Sequence, residues 1–398
     1  MAPVGEAMMA ASAPKPGSGG RIFYLDAVRA FAMFFGIMAH GLTIASPYIN
    51  DMPLFLAIKT YNDLFRAATF FLVSGFFTAL VFRKNDFPTY VRTRSEVILI
   101  PLIASMIFIV PFTNWMIHSW HNGYMSLWAY FSGGYRNPTV GNDTWALHIW
   151  FLYSLAIYAT LAPLLAKIID SNWFSKALNY YLDRTAGWTH WANVILFAIA
   201  IMAGRAAYDQ GFRYLVDDTM WHWIVRASLN HLPMFFMGMV TFTNRRFLDS
   251  ISVLSIPGII VFGVAYWAIR EYGAEMPRDI ERVIYWTVRG GLSVFLISSI
   301  IWFFKTYANK PGKWLTFAVD SAYSFYLFHF TFIYAAAWFS RLFTHNLYIN
   351  YLFVLLLATP ATLLWHAYVI DRVPFLRYIF TGKKTRRTAT DASRPKPA

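Results

Sequence analysis

Ten times along this chain of 398 residues an apolar run of membrane-spanning length recurs, near 23–46, 64–82, 95–113, 146–166, 191–208, 227–243, 251–270, 284–304, 315–337 and 350–370. Inside lipid such a run satisfies its own backbone only as a helix. Ten of them predict an all-α polytopic membrane protein with both termini on one side. Composition points the same way: 58% of residues are hydrophobic and 14% charged, too few charges to cover a soluble surface.

The formal net charge of +14 would suit a nucleic-acid partner only if it were spread over a folded surface. Instead Lys and Arg gather in alternate loops, as in Arg83, Lys84, Arg92 and Arg94, in Arg245 and Arg246, and in Lys305, Lys310 and Lys313. The positive-inside rule then places both ends in the cytoplasm, and no nucleic acid is expected. Residues 1–20 read as a disordered tail, 21–375 as one membrane domain and 376–398 as a basic disordered tail. The chain has no cysteine, which excludes disulfides, thiolate catalysis and Cys-type metal centres. Its histidines form no HxxxH or HExxH pair, so no metal is expected.

The first run, YLDAVRAFAMFFGIMAHG, carries Asp26, Arg29 and His40. An ionisable side chain at mid-bilayer costs about 2.5 to 3.5 kcal/mol on insertion scales, so three of them ask for a function. Arg29 and His40 are eleven residues apart, a rotation of about 1100°, which puts them on one face and roughly 16 Å apart along the axis. Asp26 shares that face, and Gly36 lets a neighbour or ligand approach it. The alternative is an interfacial Asp26–Arg29 pair with His40 bonded to another helix.

Other runs supply company. Arg66 heads the second, which continues FFLVSGFF with Ser74 and Gly75, and PTYVRTRS follows with Arg92 and Arg94, whose guanidinium forks suit phosphates. Simple topology would also explain that pair. The fourth run opens LHIWFLYSL with His148 and Trp150, the sixth has NHLPMFFMGM with His231, and the eighth places Arg289 before Gly290 and Gly291. In the ninth, VDSAYSFYLFHF, Asp320, Tyr323 and Ser324 share a face, and His329 points elsewhere unless the helix kinks. Asp320 is therefore expected to orient a catalytic imidazole at His40. Loops 114–145 and 209–226 hold Trp115, Trp120, Trp128, Trp145, Trp221 and Trp223 with His118, His121, Asp217 and Asp218, suited to sugar faces and equally to an aromatic belt.

The order of these pieces resembles the membrane acyltransferase family 3, whose hallmark is an Arg, ten residues and a His in the first helix. Arg29 and His40 meet that spacing, introduced by YLDAVRA, and FFLVSGFF, LHIWFLYSL and SAYSFYLFHF continue the likeness across most of 21–335. Within the family the chain is most similar to a branch associated with succinylation of osmoregulated periplasmic glucans, on the strength of YLDAVRAFAMFFGIMAH, FFLVSGFFTALVFRK and HLPMFFMGMV. Two departures stand out: Ala30 where Gly is common, and Arg92 and Arg94 more closely spaced than in many relatives.

The resemblance implies a protein of the bacterial inner membrane with no permanently bound cofactor. Its donor would be cytoplasmic acyl-CoA, with succinyl-CoA expected, and its acceptor a periplasmic glucan. The catalytic residues would be His40, as general base or alternatively as a nucleophile that forms an acyl-imidazole, and Asp320. Asp26, Arg29, Arg66, Arg92, Arg94, His148, Trp150, Arg289, Tyr323 and His329 would contact substrates, with Arg92 and Arg94 at the nucleotide and Arg66 or Arg289 at a succinyl carboxylate. Homo-oligomers are compatible with this. The alternatives are an acetyltransferase acting on another surface polysaccharide or lipid-linked glycan, a transporter, and a non-catalytic scaffold. Intramembrane charges also mark transport paths, but basic groups gathered at one mouth and no evident inverted halves favour the enzyme.

Overall fold

The computed structural model describes residues 22–46, 48–132, 146–215 and 220–384, and among these it is helical with no strand. Among the described residues, ten long helices overlap the ten apolar runs: α1 Phe23–Gly41, α2 Pro53–Lys84, α3 Phe87–Asn122, α4 Trp150–Asp170, α5 Thr189–Gln210, α6 Met220–Thr243, α7 Ile256–Tyr272, α8 Arg278–Tyr307, α9 Lys313–Ser340 and α10 Leu347–Trp365. By length and composition α1 to α5, α8 and α10 are apolar enough to cross a membrane. α7 has only 17 residues. α6 and α9 dilute their apolarity with buried polar groups, among them Ser228, Ser321, Ser324 and His329.

Helix ends differ from the apolar runs where caps decide them. α2 begins at Pro53, eleven residues before its run, because Pro is preorganised for the first helical turn. α7 begins at 256, after its expected start at 251, because the Ser255 hydroxyl accepts from the Gly258 N–H at 3.3 Å. The helical chain also continues beyond 375. α11, Pro374–Thr381, buries Phe380 and Thr381 where the basic tail was expected to begin at 376. Residues 1–20 and 385–398 lie outside the described residues, as do Trp145, Asp217 and Asp218.

Prolines inside helices tie the bundle together. Each removes the N–H that would satisfy the carbonyl four residues earlier, and in lipid that carbonyl needs another donor. Pro163 releases the Ala159 carbonyl, which accepts from the Tyr90 hydroxyl at 2.8 Å. Pro101 releases the Val97 carbonyl, which accepts from the Tyr323 hydroxyl at 2.7 Å, beside a π turn over Ser95–Leu99. α3 is thereby clamped to α4 and α9.

α1 lies among α2, α8, α9 and α10, and α2 packs in turn on α4, α6 and α8. The closest approach is between α2 and α6. A Cβ added to Gly75 would lie 2.0 Å from the Phe235 carbonyl oxygen, and one on Gly238 1.8 Å from that of Leu72. Small residues at such a crossing let backbones touch. Outward-facing Ile103, Ile107, Ile199, Val264 and Leu356 give the bundle an apolar exterior. At one end, the ion pairs Arg83–Asp170, Arg246–Asp183, Lys305–Asp249 and Lys384–Glu96 join segments that flank alternate helices. This end is the basic face.

Candidate active site

Residues 29, 33, 36 and 40 recur at intervals of four, three and four, so they form one stripe on α1. That stripe faces two cavities. The inner one, about 40 Å³, is lined by Gly36, His40, Arg66, His148, Trp150 and His329 together with Met33, Phe70, Phe151 and Tyr326. The other, about 170 Å³, lies toward the basic face and is lined by Arg29, Arg94, Tyr323 and Lys383 among others. Met33, Phe70, Phe151 and Tyr326 line both and form their common wall.

Three imidazoles from three helical segments meet at the inner cavity. The His40 ring centre is 5.3 Å from that of His329 and 6.2 Å from that of His148, and the latter two are 5.2 Å apart. Arg66 Nη1 lies 3.3 Å from His40 Nε2. A guanidinium only donates, so this ring nitrogen accepts and His40 presents its lone pair to Arg66. His329 is tied at its other nitrogen: Nδ1 donates to the Tyr326 carbonyl at 2.7 Å and the Phe325 carbonyl at 3.1 Å. Its Nε2 is buried with no hydrogen-bond partner among the described residues. So is Arg66 Nε. A Cβ on Gly36 would lie 3.5 Å from Arg66 Nη1 and 3.6 Å from His329 Nε2, so the glycine keeps this space open.

His148 is buried, and its Nε2 lies 2.9 Å from the Leu327 carbonyl, fixing the ring against α9. It sits in a 3₁₀ turn over Leu147–Ile149, where Leu147 has φ +33°. A non-glycine residue held there costs on the order of 1–3 kcal/mol, and such strain clusters where a side chain must be aimed.

Several expected roles change. Asp320 does not reach His40. It lies nine residues before His329 on α9, about 13 Å along the axis, and pairs with Lys383 Nζ at 3.3 Å. His329, expected to point away, meets His40 instead, with the ring centres 5.3 Å apart. Arg92 and Arg94 divide. Arg92 is exposed and pairs with Glu96, whereas Arg94 lines the larger cavity and donates to the Phe77 carbonyl at 3.1 Å. Arg289 belongs to a different cavity, of about 80 Å³, with Asp63, Asn230, His231 and Trp286. Asp26 is buried 3.8 Å from Arg29, supporting that cation from within α1. Arg29, Arg66, Arg94, His148, Trp150, Tyr323 and His329 all line one cavity or the other.

A family model described as an acyltransferase domain matches residues 22–370, nearly the whole described chain. The chain belongs to this acyltransferase family. It is accordingly an acyltransferase, and the matched region includes α1 to α10, leaving outside it Thr381 and Lys383, which also line the larger cavity. Among curated proteins it is similar to glucans biosynthesis protein C of Salmonella schwarzengrund, 24% identical over 388 residues, covering 94% of this chain and 96% of that one. It is also similar to glucans biosynthesis protein C of Escherichia coli K12, 22% identical over 390 residues, covering 93% and 97%. No solved structure matches the chain significantly.

In this member of the acyltransferase family the convergence of His148 and His329 on His40 escaped sequence reasoning. Rotation along a helix places residues relative to one another and says nothing about which neighbour they meet. Lys383 was missed because its segment read as tail.

Proposed function

We propose that the protein is a ten-span membrane enzyme with both termini cytoplasmic, moving an acyl group, succinyl in particular, from cytoplasmic acyl-CoA to hydroxyls of a periplasmic glucan. The single observation that carries this reading is the pair of cavities on one α1 stripe: a cation-lined one at the basic face, and an imidazole-lined one behind a shared wall. A donor with an anionic head and a narrow thioester arm has this shape and charge. The glucan acceptor rests on the curated relatives' name.

His40 is the general base. As the acceptor hydroxyl arrives, it replaces Arg66 at His40 Nε2, and Nη1 of Arg66 turns to the carbonyl oxygen of the thioester. The hydroxyl oxygen attacks the carbonyl carbon while its proton passes to Nε2. Arg66 balances the oxyanion of the tetrahedral intermediate. When the C–S bond breaks, the sulfur takes the proton back from the imidazolium and leaves as thiol, and the ester remains on the sugar. The unpartnered Arg66 Nε is a ready donor for a second acceptor, and a succinyl group carries a free carboxylate where an acetyl group has none. His329 Nε2, oriented by two carbonyls, accepts a hydrogen bond from the substrate.

His40→Ala is expected to lower glucan acylation by about 10² to 10⁴ while membrane insertion is unchanged. Mass spectrometry of periplasmic glucans from cells carrying the variant reads this directly. Normal acylation would remove His40 from the chemistry.

A further inference from the structure

The residues that follow α11 double back onto the basic face. Gly382 caps the helix in the left-handed region with φ +66°, and its N–H donates to the Tyr378 carbonyl at 2.8 Å. It lies so close to α3 that an added Cβ would be 2.2 Å from the Glu96 carbonyl oxygen. The next two residues are both tethered by charge: Lys383 to Asp320 at 3.3 Å and Lys384 to Glu96 at 3.4 Å. These contacts fix a strap of chain beside the larger cavity, which Thr381 and Lys383 help to line.

Three cations thus surround that cavity, each from a different part of the fold: Arg29 from α1, Arg94 from α3 and Lys383 from the strap. Burial pushes the Lys383 ammonium below its ordinary value, Asp320 opposes this, and Arg29 and Arg377 reinforce it. Like charges held around one space are unfavourable unless an anion enters it. The surrounding groups define the chemistry of that anion. Guanidinium forks and an ammonium suit phosphate oxygens, and the apolar wall behind them, Met33, Phe70 and Phe151, suits an uncharged arm.

We propose that the strap is a working part of the donor site: Lys383, positioned by Asp320, completes with Arg29 and Arg94 a site for the phosphorylated end of the acyl donor. An ammonium has three donors, so Lys383 keeps Asp320 while it binds a phosphate oxygen. This assigns Asp320 as a positioning residue on the donor side, about 13 Å along the α9 axis from His329. The inference rests on the acyl-CoA reading above.

Binding to the full-length purified protein tests it, with coenzyme A and its phosphate-free fragment pantetheine as probes. Lys383→Ala is expected to weaken coenzyme A about tenfold, the effect of losing one charge-assisted hydrogen bond, and to leave pantetheine binding unchanged. Lys383→Arg should restore coenzyme A affinity, and Asp320→Asn should weaken it by a smaller factor. Gly382→Ala, which cannot dock against Glu96, should reproduce Lys383→Ala. Equal losses for both probes would reduce Lys383 to a packing role and overturn the proposal. So would unchanged coenzyme A affinity in Lys383→Ala while Arg94→Ala weakens it, a result that leaves the donor reading intact. Failure of the unaltered protein to bind coenzyme A would overturn both.

Discussion

The imidazoles at the inner cavity differ because their outer bonds differ. His40 shares its Nε2 with Arg66, whereas the carbonyls of Phe325 and Tyr326 hold His329 by Nδ1 and leave Nε2 unpartnered. A buried acceptor without a donor costs about 1–3 kcal/mol, and a substrate hydroxyl would recover it. His329→Phe keeps a ring of similar size and removes the acceptor. It is expected to lower kcat about tenfold with the KM for the donor unchanged, measured on purified protein with saturating acceptor. An unchanged kcat would mean that no substrate group uses this nitrogen. The Arg29–His40 stripe was legible at this scale because the interval of eleven fixes a shared face in any straight helix. Arg92 and Arg94 were not separable: two residues apart on a helix, they diverge by about 200°, and only the packing of α3 decides which turns inward. Asp320 misled because it shared a helix with His329, and only the position of α1 shows which of the two faces His40.

At the scale of elements, the apolar runs located every long helix and misplaced several ends. Composition reports where lipid or core must be, whereas caps, prolines and π turns set where a helix starts and bends. Pro101 illustrates the second kind of information: its effect is visible only once Tyr323 is seen to take the Val97 carbonyl it released. The crossing of α2 and α6 is the most demanding contact in the bundle. Gly75→Ala or Gly238→Ala places a methyl carbon about where a carbonyl oxygen of the facing helix already sits. Each is expected to destabilise the protein by about 1–3 kcal/mol, read as a lower Tm of the detergent-solubilised protein. Gly263→Ala is a suitable control, since nothing lies within 4 Å of that position. An equal Tm for all three variants would mean that the helices do not meet as closely as described.

For the whole molecule, alternating charge in the loops and the ion pairs at the basic face give the same account of which segments share an end. The charge pattern made that legible without coordinates, since the positive-inside rule acts on loops rather than on contacts. What it could not reveal is that two of the chain's last described residues, Thr381 and Lys383, return to line a cavity. The proposed function, with its donor cavity on the cytoplasmic side, predicts that acyl-CoA added to inside-out vesicles supports transfer to glucan and that the same donor added to right-side-out vesicles does not. Transfer in both preparations would contradict the orientation.

The wall of Met33, Phe70, Phe151 and Tyr326 has a consequence for the cell as well as for the reaction. An enzyme that handles one reactant from each side must be a passage for chemistry and still an insulator, because any standing file of water beside three imidazoles would conduct protons and drain the gradient across the membrane. A cavity of about 40 Å³ holds one or two water molecules and no file. Under the proposed function, this greasy partition keeps the membrane electrically tight between turnovers.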